Sequence, residues 1–274
     1  MIRRRHTDAP IALLTDFGYR DHYAGVMRGV IASIAPDAPV IDITHGIPPQ
    51  SIVAGAIALR ESWRFFPKRT VFLAVVDPGV GTSRLPVAIE TRAGARFVGP
   101  DNGLLALAAE DAGIVRAVRL ESERHRLPRT SSTFHGRDIF APAAAWLSRG
   151  TSLRALGSPL KSVRPLRLPQ PVVTRNEIRG EVLYVDGFGN LVTNLRRSDL
   201  AHLQSSFPGK QVSVRIKAGA PMKILKTYGD APAGTILATF GSFELLEIAL
   251  RDGSAARTLD CDVGAVVRAR ISRS

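Results

Sequence analysis

The residues best equipped for chemistry fall in a few short polar runs. The most compact is Asp77-Pro78-Gly79-Val80-Gly81-Thr82-Ser83-Arg84, where two glycines and a proline make a tight loop that lets backbone approach a ligand. A carboxylate and a guanidinium at its ends could handle a small polar molecule, or could simply close a turn as an ion pair. The run lacks the lysine of a phosphate-binding P-loop. Thr133-Phe134-His135-Gly136-Arg137-Asp138 places a histidine before a helix, suited to acid, base or orienting work if Asp77 and Arg84 lie beside it. Thr15-Asp16-Phe17-Gly18, with Asp21 close behind, offers carboxylates for a ribose diol or, equally, helix caps. Gly99-Pro100-Asp101-Asn102-Gly103 reads as a turn into a helix. Asp186-Gly187-Phe188-Gly189-Asn190 joins an acid to an amide that could read an adenine edge, in what otherwise reads as a hairpin turn.

The elements around these runs change character along the chain. Ile11–Thr15, Val40–Ile43 and the continuous apolar run Val71–Val76 read as strands, the last covered on both faces. Asp21–Ile34 and Ser51–Trp63 carry apolar residues at helical spacing, with Ser51 a suitable N-cap. Gly103–Ala109 and Gly136–Leu147 supply further helices. This alternation predicts an α/β domain with a mostly parallel sheet over residues 1–155. Prolines at 159, 165, 169 and 171 mark a linker over 156–174. Short strand-like segments then follow at Gly180–Val185, Gln211–Ile216, Thr235–Phe240, Leu245–Leu250 and Ala265–Ile271, predicting a small β-barrel domain over 175–274. In such sheets ligands bind beyond the carboxyl ends of the strands, where the polar runs of the first domain fall.

Composition narrows the function classes. With 45% hydrophobic and 22% charged residues, the 274-residue chain is globular. Its net charge of +13 invites a nucleic-acid reading. The basic residues are dispersed, however, with small clusters at Arg3–Arg5, Arg124/Arg126/Arg129 and Arg196/Arg197 and no basic helix. A solvated surface is therefore expected, with no nucleic-acid partner. The single cysteine, Cys261, precludes an intrachain disulfide and sits between two acids that oppose a thiolate. No Cys–His spacing suggests a metal, and no apolar run approaches the roughly 20 residues that span a bilayer. A soluble, cytoplasmic protein that does not engage membranes is expected.

Taken together, LLTDFGYRDHYAGVMRGVI, DITHGIPPQSIVAGA, FLAVVDPGVGTSR, FVGPDNGLL, TFHGRDIFAPAAA, VDGFGNLVTN and LLEIA resemble the S-adenosylmethionine hydroxide adenosyltransferase family, related to enzymes that fluorinate or chlorinate the same substrate. They occur in family order from about Ile11 to Ala256. The resemblance implies hydrolysis of S-adenosyl-L-methionine to adenosine and L-methionine by attack of water or hydroxide at ribose C5′. It implies a homotrimer with sites shared between subunits, and no cofactor beyond the substrate. It places the water-handling set on Asp77, Arg84 and His135 and the ribose contact on Asp16. Methionine-end contacts fall on Asp21, Asp186 and Ser242, adenine contacts on Asn190 and Tyr228, and further substrate contacts on Thr133 and Phe134. The chain departs from the family pattern at Gly241 and Glu244, in the loop before LLEIA. Two alternatives stay open here. One is a chlorinase-like halogenase, which the small Gly136 permits and the Asp77 charge opposes. The other is a non-catalytic nucleoside- or nucleic-acid-binding protein.

Overall fold

The structure is a computed structural model that describes residues 8–272, so the Arg3–Arg5 cluster lies outside it. The chain divides into two compact units, one ending at Leu166 and one beginning at Arg167.

The first unit contains β1 (Ile11–Thr15), α1 (Tyr23–Ile34), β2 (Val40–Thr44), α2 (Ile52–Ser62), β3 (Val71–Val75), β4 (Pro86–Thr91), β5 (Arg96–Pro100), α3 (Ala106–Asp111) and β6 (Ile114–Arg119). A π-helical turn at Gly136–Phe140, α4 (Ala141–Ser148) and β7 (Pro159–Leu160) complete it. The strands form one sheet in the order β2-β1-β3-β5-β4-β6-β7. β1 pairs in parallel with β2 and β3, and β3 with β5. β4 is antiparallel to both β5 and β6, and β7 to β6. All but β4 and β7 therefore point the same way, the mostly parallel α/β layer expected from the alternation of elements.

This strand order sets where a ligand can sit. From β1 the chain steps outward to β2, then crosses back to β3 on β1's other side. The order reverses at β1, so the carboxyl ends of β1 and β3 flank a crevice. Right-handed crossovers put α1 and α2 on opposite faces of the sheet. Met27 and Ile31 of α1 share a core with Phe140–Leu147 and with Ile11, Leu13, Val71 and Leu73. The alternate residues Ala12, Leu14, Phe72 and Phe97 are just as deeply buried towards the other face. Ser51 caps α2 as expected, accepting from Ala54 N.

The second unit contains β8 (Val172–Val173), β9 (Glu177–Val185), β10 (Leu191–Arg196), α5 (Arg197–Ser205), β11 (Val212–Ile216), β12 (Met222–Lys223), β13 (Ile236–Phe240), β14 (Leu245–Leu250), α6 (Ala255–Thr258) and β15 (Val266–Ile271). The main path is β12-β11-β15-β9-β10-β14-β13, with β8 added against β9. A bridge from Ile224 to Ala238, with Leu225 N donating to Ala238 O at 2.8 Å, ties the β12 end to β13 and curls the sheet towards a barrel. Inward-facing Ile178, Val182, Val214, Ile216, Ile248 and Val267 fill it, joined by Leu200 and Leu203 of α5. No helix among the described residues is long and apolar enough to cross a membrane.

Candidate active site

Asp77 lies two residues beyond β3 and Arg84 two residues before β4. Backbone bonds from Val80 N to Asp77 O and from Thr82 N to Gly79 O already close the loop between them. The ion pair is therefore not needed to make the turn. Arg84 Nε donates to Asp77 Oδ1 at 2.9 Å and to Oδ2 at 3.0 Å, and Nη2 also bonds Oδ2. Both side chains are only 6% exposed. A buried ion pair is often no more stabilising than an apolar pair of the same volume, yet removing one partner costs about 3–5 kcal/mol. Stability alone gives little reason to hold these two charges out of water.

Arg84 Nη2 also donates to His135 Nδ1 at 2.8 Å. A guanidinium only donates, so Nδ1 must be the bare nitrogen and Nε2 carries the proton. The guanidinium rests on the Phe140 ring, its Cζ 5.2 Å from the centroid. Arg84 Nη1 is buried with no protein partner among the described residues. A buried, charged donor of this kind is costly unless something accepts from it. Asp77, Arg84 and His135 thus form one contact chain, with a donor left over.

The loops are held in place locally. Gly81 has φ +77°, and a Cβ there would meet Ser132 O at 2.6 Å, so only glycine lets the Asp77–Arg84 loop lie against the strand of backbone leading to His135. Asp138, fully buried, anchors that same segment by accepting from Ser131 N at 2.7 Å and from Arg137 Nε at 2.6 Å. Burial pushes its pKa up, but the Arg137 and Ser131 hydrogen bonds outweigh this and hold it below the usual carboxylate value. Immediately after His135 the chain makes the π-helical turn Gly136–Phe140, so the long helix expected over Gly136–Leu147 becomes regular only at Ala141. Such turns often sit at functional sites.

Asp16 leaves β1 beside β3, and its Oδ2 accepts from Gln50 N at 2.8 Å rather than capping α1. Asp21 is exposed and does not cap α1 either. Phe17, Tyr23 and Phe134 pack together with centroids 5.3 to 6.1 Å apart, clamping the β1 loop, the start of α1 and the segment before His135 to one another. Thr133 is exposed at the mouth of this region. Beneath the β1 loop lies His45, which sequence reasoning passed over: its Nδ1 is 2.7 Å from Thr15 Oγ1, and its carbonyl accepts from Gly18 N at 2.7 Å. Its Nε2 comes within 3.1 Å of Asp42, which pairs with Arg28. In the Gly99–Gly103 run the turn reading holds, since Asn102 Nδ2 donates to Val76 O and Asp101 accepts from Arg164 N.

In the second unit Asp186 Oδ1 accepts from Phe188 N and Asn190 N, and Oδ2 from Asn190 Nδ2 at 2.9 Å. The acid staples its own hairpin and presents Asn190 in a fixed pose. Phe188, at the hairpin tip, is 82% exposed, an unexplained apolar ring beside that amide. Tyr228 donates its hydroxyl to Glu247 Oε2 at 2.6 Å. Burial, and then the Asp186 charge, raise the Glu247 pKa against that hydrogen bond. Burial, the bond to Glu247 and the nearby acids also raise the Tyr228 pKa. Glu247 occupies the space beside Gly241 that any side chain there would need. Ser242 is exposed, and Glu244 (φ +61°) is paired with Arg197. Glu247 was legible only as part of the apolar LLEIA strand. Among the described residues no group of three or more His, Cys, Asp or Glu is arranged to hold a metal.

Comparison with known proteins brings the two units under one family. The sequence model described as the SAM hydroxide adenosyltransferase N-terminal domain matches residues 11–157, and its C-terminal counterpart matches 180–268. An (R)-S-adenosyl-L-methionine hydrolase of Thermus thermophilus is 41% identical over 266 residues, covering 94% of this chain and 98% of its own. A fluorinase of Nocardia brasiliensis is more distant, 27% identical over 95% of this chain and 96% of its own. The crystal structure of a conserved protein from Thermotoga maritima superposes with a TM-score of 0.86 at 38% identity, covering 95% of this chain and 99% of that one.

The His135 contact has a pH consequence. Burial first, and then the Arg84 charge, hold the His135 pKa below its usual 6.5, with Asp77 and Asp138 opposing. Folding thus favours the neutral ring. That contribution is complete above 6.5 and is lost as pH falls through the lowered folded-state value. In urea unfolding, wild type is expected to lose stability over this window relative to His135→Gln, with the two parallel at higher pH. Superimposable acid limbs would contradict the arrangement.

Proposed function

The chain belongs to the S-adenosylmethionine hydroxide adenosyltransferase family, and on that basis we propose that Asp77, Arg84 and His135 position and activate the attacking water. The protein is an enzyme that hydrolyses S-adenosyl-L-methionine to adenosine and L-methionine. The hydrolase relatives are named for the (R) form of this substrate, and we extend that form to this chain.

In the proposed reaction the water oxygen forms a bond to C5′ as the C5′–S bond breaks. The bonding pair leaves with sulfur, whose positive charge is thereby neutralised, and methionine departs as a thioether. The water proton passes to the Asp77 carboxylate. The observation that carries this reading is the buried Arg84 guanidinium, which grips Asp77 and His135 yet keeps Nη1 free to donate. A water accepting from Nη1 and donating to Asp77 would be oriented, and its developing hydroxide character stabilised, in a site of low dielectric. His135 takes the orienting role. Its Nδ1 is held by Arg84, so it can accept a proton only by giving up that bond. The same geometry argues against halide as nucleophile, because an anion would meet the Asp77 carboxylate out of water.

Around this centre we propose Asp16 as the ribose contact, Thr133 and Phe134 as its wall, and Asp21, Asp186 and Ser242 for the methionine end. Asn190 and Tyr228 would hold adenine. Asp186 Oδ2 accepts one hydrogen bond and so has capacity for a substrate donor. We also propose a homotrimer whose sites combine the first unit of one subunit with the second unit of its neighbour. A sulfonium leaves without assistance from a resident metal or cofactor, so turnover is expected to survive chelation.

Asp77→Asn is expected to lower kcat by about 10²–10⁴-fold with KM changed only a few-fold, and adenosine to remain the product in chloride. Near-wild-type turnover, or 5′-chloro-5′-deoxyadenosine, would overturn the assignment. Mixing Asp77→Asn subunits with Asn190→Ala subunits is expected to restore activity that neither shows alone. No restoration after verified subunit exchange would rule out shared sites.

A further inference from the structure

The basic residues that look dispersed along the chain are gathered by the second unit onto one sheet face. In antiparallel strands, residues directly opposite share a face. Arg215 of β11 stands opposite Arg268 of β15, and Arg268 stands opposite Arg179 of β9. Three arginines therefore form a row across three adjacent strands, about 4.8 Å apart from one strand to the next. Their neighbours Val214, Ile216, Val267 and Ala269 are buried in the barrel, which leaves the row on the outer side. Arg270 extends it along β15, Lys217, just past the end of β11, lines the same concavity, and Lys223, opposite Ser213, extends it to the edge.

The acids on this face do not balance the row. The face carries two acids, Glu177, shared between Arg270 and Arg268 at 3.9 Å from the latter, and Glu181, two residues past Arg179 on β9. Among the described residues the ion pairs on this face involve Arg268 and Arg270, and none involves Arg179, Arg215 or Lys223. Like charges directly opposite on a sheet destabilise it. An anion lying over a row that repeats this across three strands would relieve it. Arg215, Lys217, Arg268 and Arg270 alone line a concavity of about 270 Å³ there.

We propose that the outer face of β11, β15 and β9 binds the phosphate backbone of nucleic acid without regard to base sequence. Guanidinium forks match phosphate oxygens in pairs, and cations fixed on rigid strands suit a regularly charged polymer. No aromatic ring stands among these residues to stack a base, so the binding is electrostatic and salt-dependent. None of the residues belongs to the proposed catalytic or substrate-binding set, so this surface would act beside the hydrolase activity.

The test is fluorescence anisotropy with a duplex DNA at a series of salt concentrations. Wild type is compared with Arg215→Glu/Arg268→Glu and with a charge-matched control, Arg92→Glu/Arg154→Glu, in the first unit. The face variant is expected to bind at least about tenfold more weakly, with a log–log salt slope about 2 units shallower. The control should stay near wild type, and both variants should keep full S-adenosylmethionine hydrolysis. No measurable wild-type binding, an equal loss in the control, or binding only to phosphatidylserine vesicles would each overturn the proposal.

Discussion

A guanidinium shut away from water has to be matched donor by donor, and Arg84 is the residue on which that demand falls. Its Nε and Nη2 grip Asp77, Nη2 also reaches His135, and its flat face rests on Phe140. Two segments far apart in sequence, the Asp77–Arg84 loop and the stretch from His135 to Phe140, are therefore held in one geometry by one side chain. The rest of the first unit supplies what this arrangement needs: β3 delivers Asp77 at the switch point, Gly81 lets two loops touch, and Asp138 ties down the backbone before His135. The Asp77 carboxylate that results is gripped at both oxygens. That makes it a poor nucleophile towards carbon and a well-aimed partner for water.

Much of this was legible in the sequence because the key residues sit in loops with distinctive local chemistry. The apolar run ending at Val76 marked the central strand, and the Gly–Pro-rich loop after it marked the approach of backbone to a site. Ser51 announced the start of α2 by its type alone. The strands β4, β5 and β6 escaped notice because polar residues cut their apolar pattern short: Glu90 in β4, Arg96 at the start of β5, and Arg116 and Arg119 in β6. Ile114, Val115 and Arg116 are all exposed, so β6 shows no clean alternation. β10 escaped because Leu191–Leu195 is buried on both sides and mixes Thr193 and Asn194 into its run.

The site residues that sequence reasoning missed share one physical cause: their partners are remote. His45 is a lone histidine until Thr15, thirty positions earlier, is placed 2.7 Å away. Glu247 reads as the polar face of a strand until Tyr228 and Asp186 come beside it. The basic face has the same origin, since Arg179, Arg215 and Arg268 become neighbours only through strand register. Composition gave their number, but only the register aligned them.

The central claim is that water, held by Asp77 and Arg84, attacks C5′ directly. The sharpest measurement is a single turnover in ¹⁸O-labelled water with enzyme in excess, followed by mass spectrometry of adenosine and of the peptide containing Asp77. Direct attack predicts the label in the 5′ oxygen of adenosine and none in the protein. Unlabelled adenosine from the first turnover, with the label in the Asp77 carboxylate, would show that Asp77 is itself the nucleophile and would contradict the account.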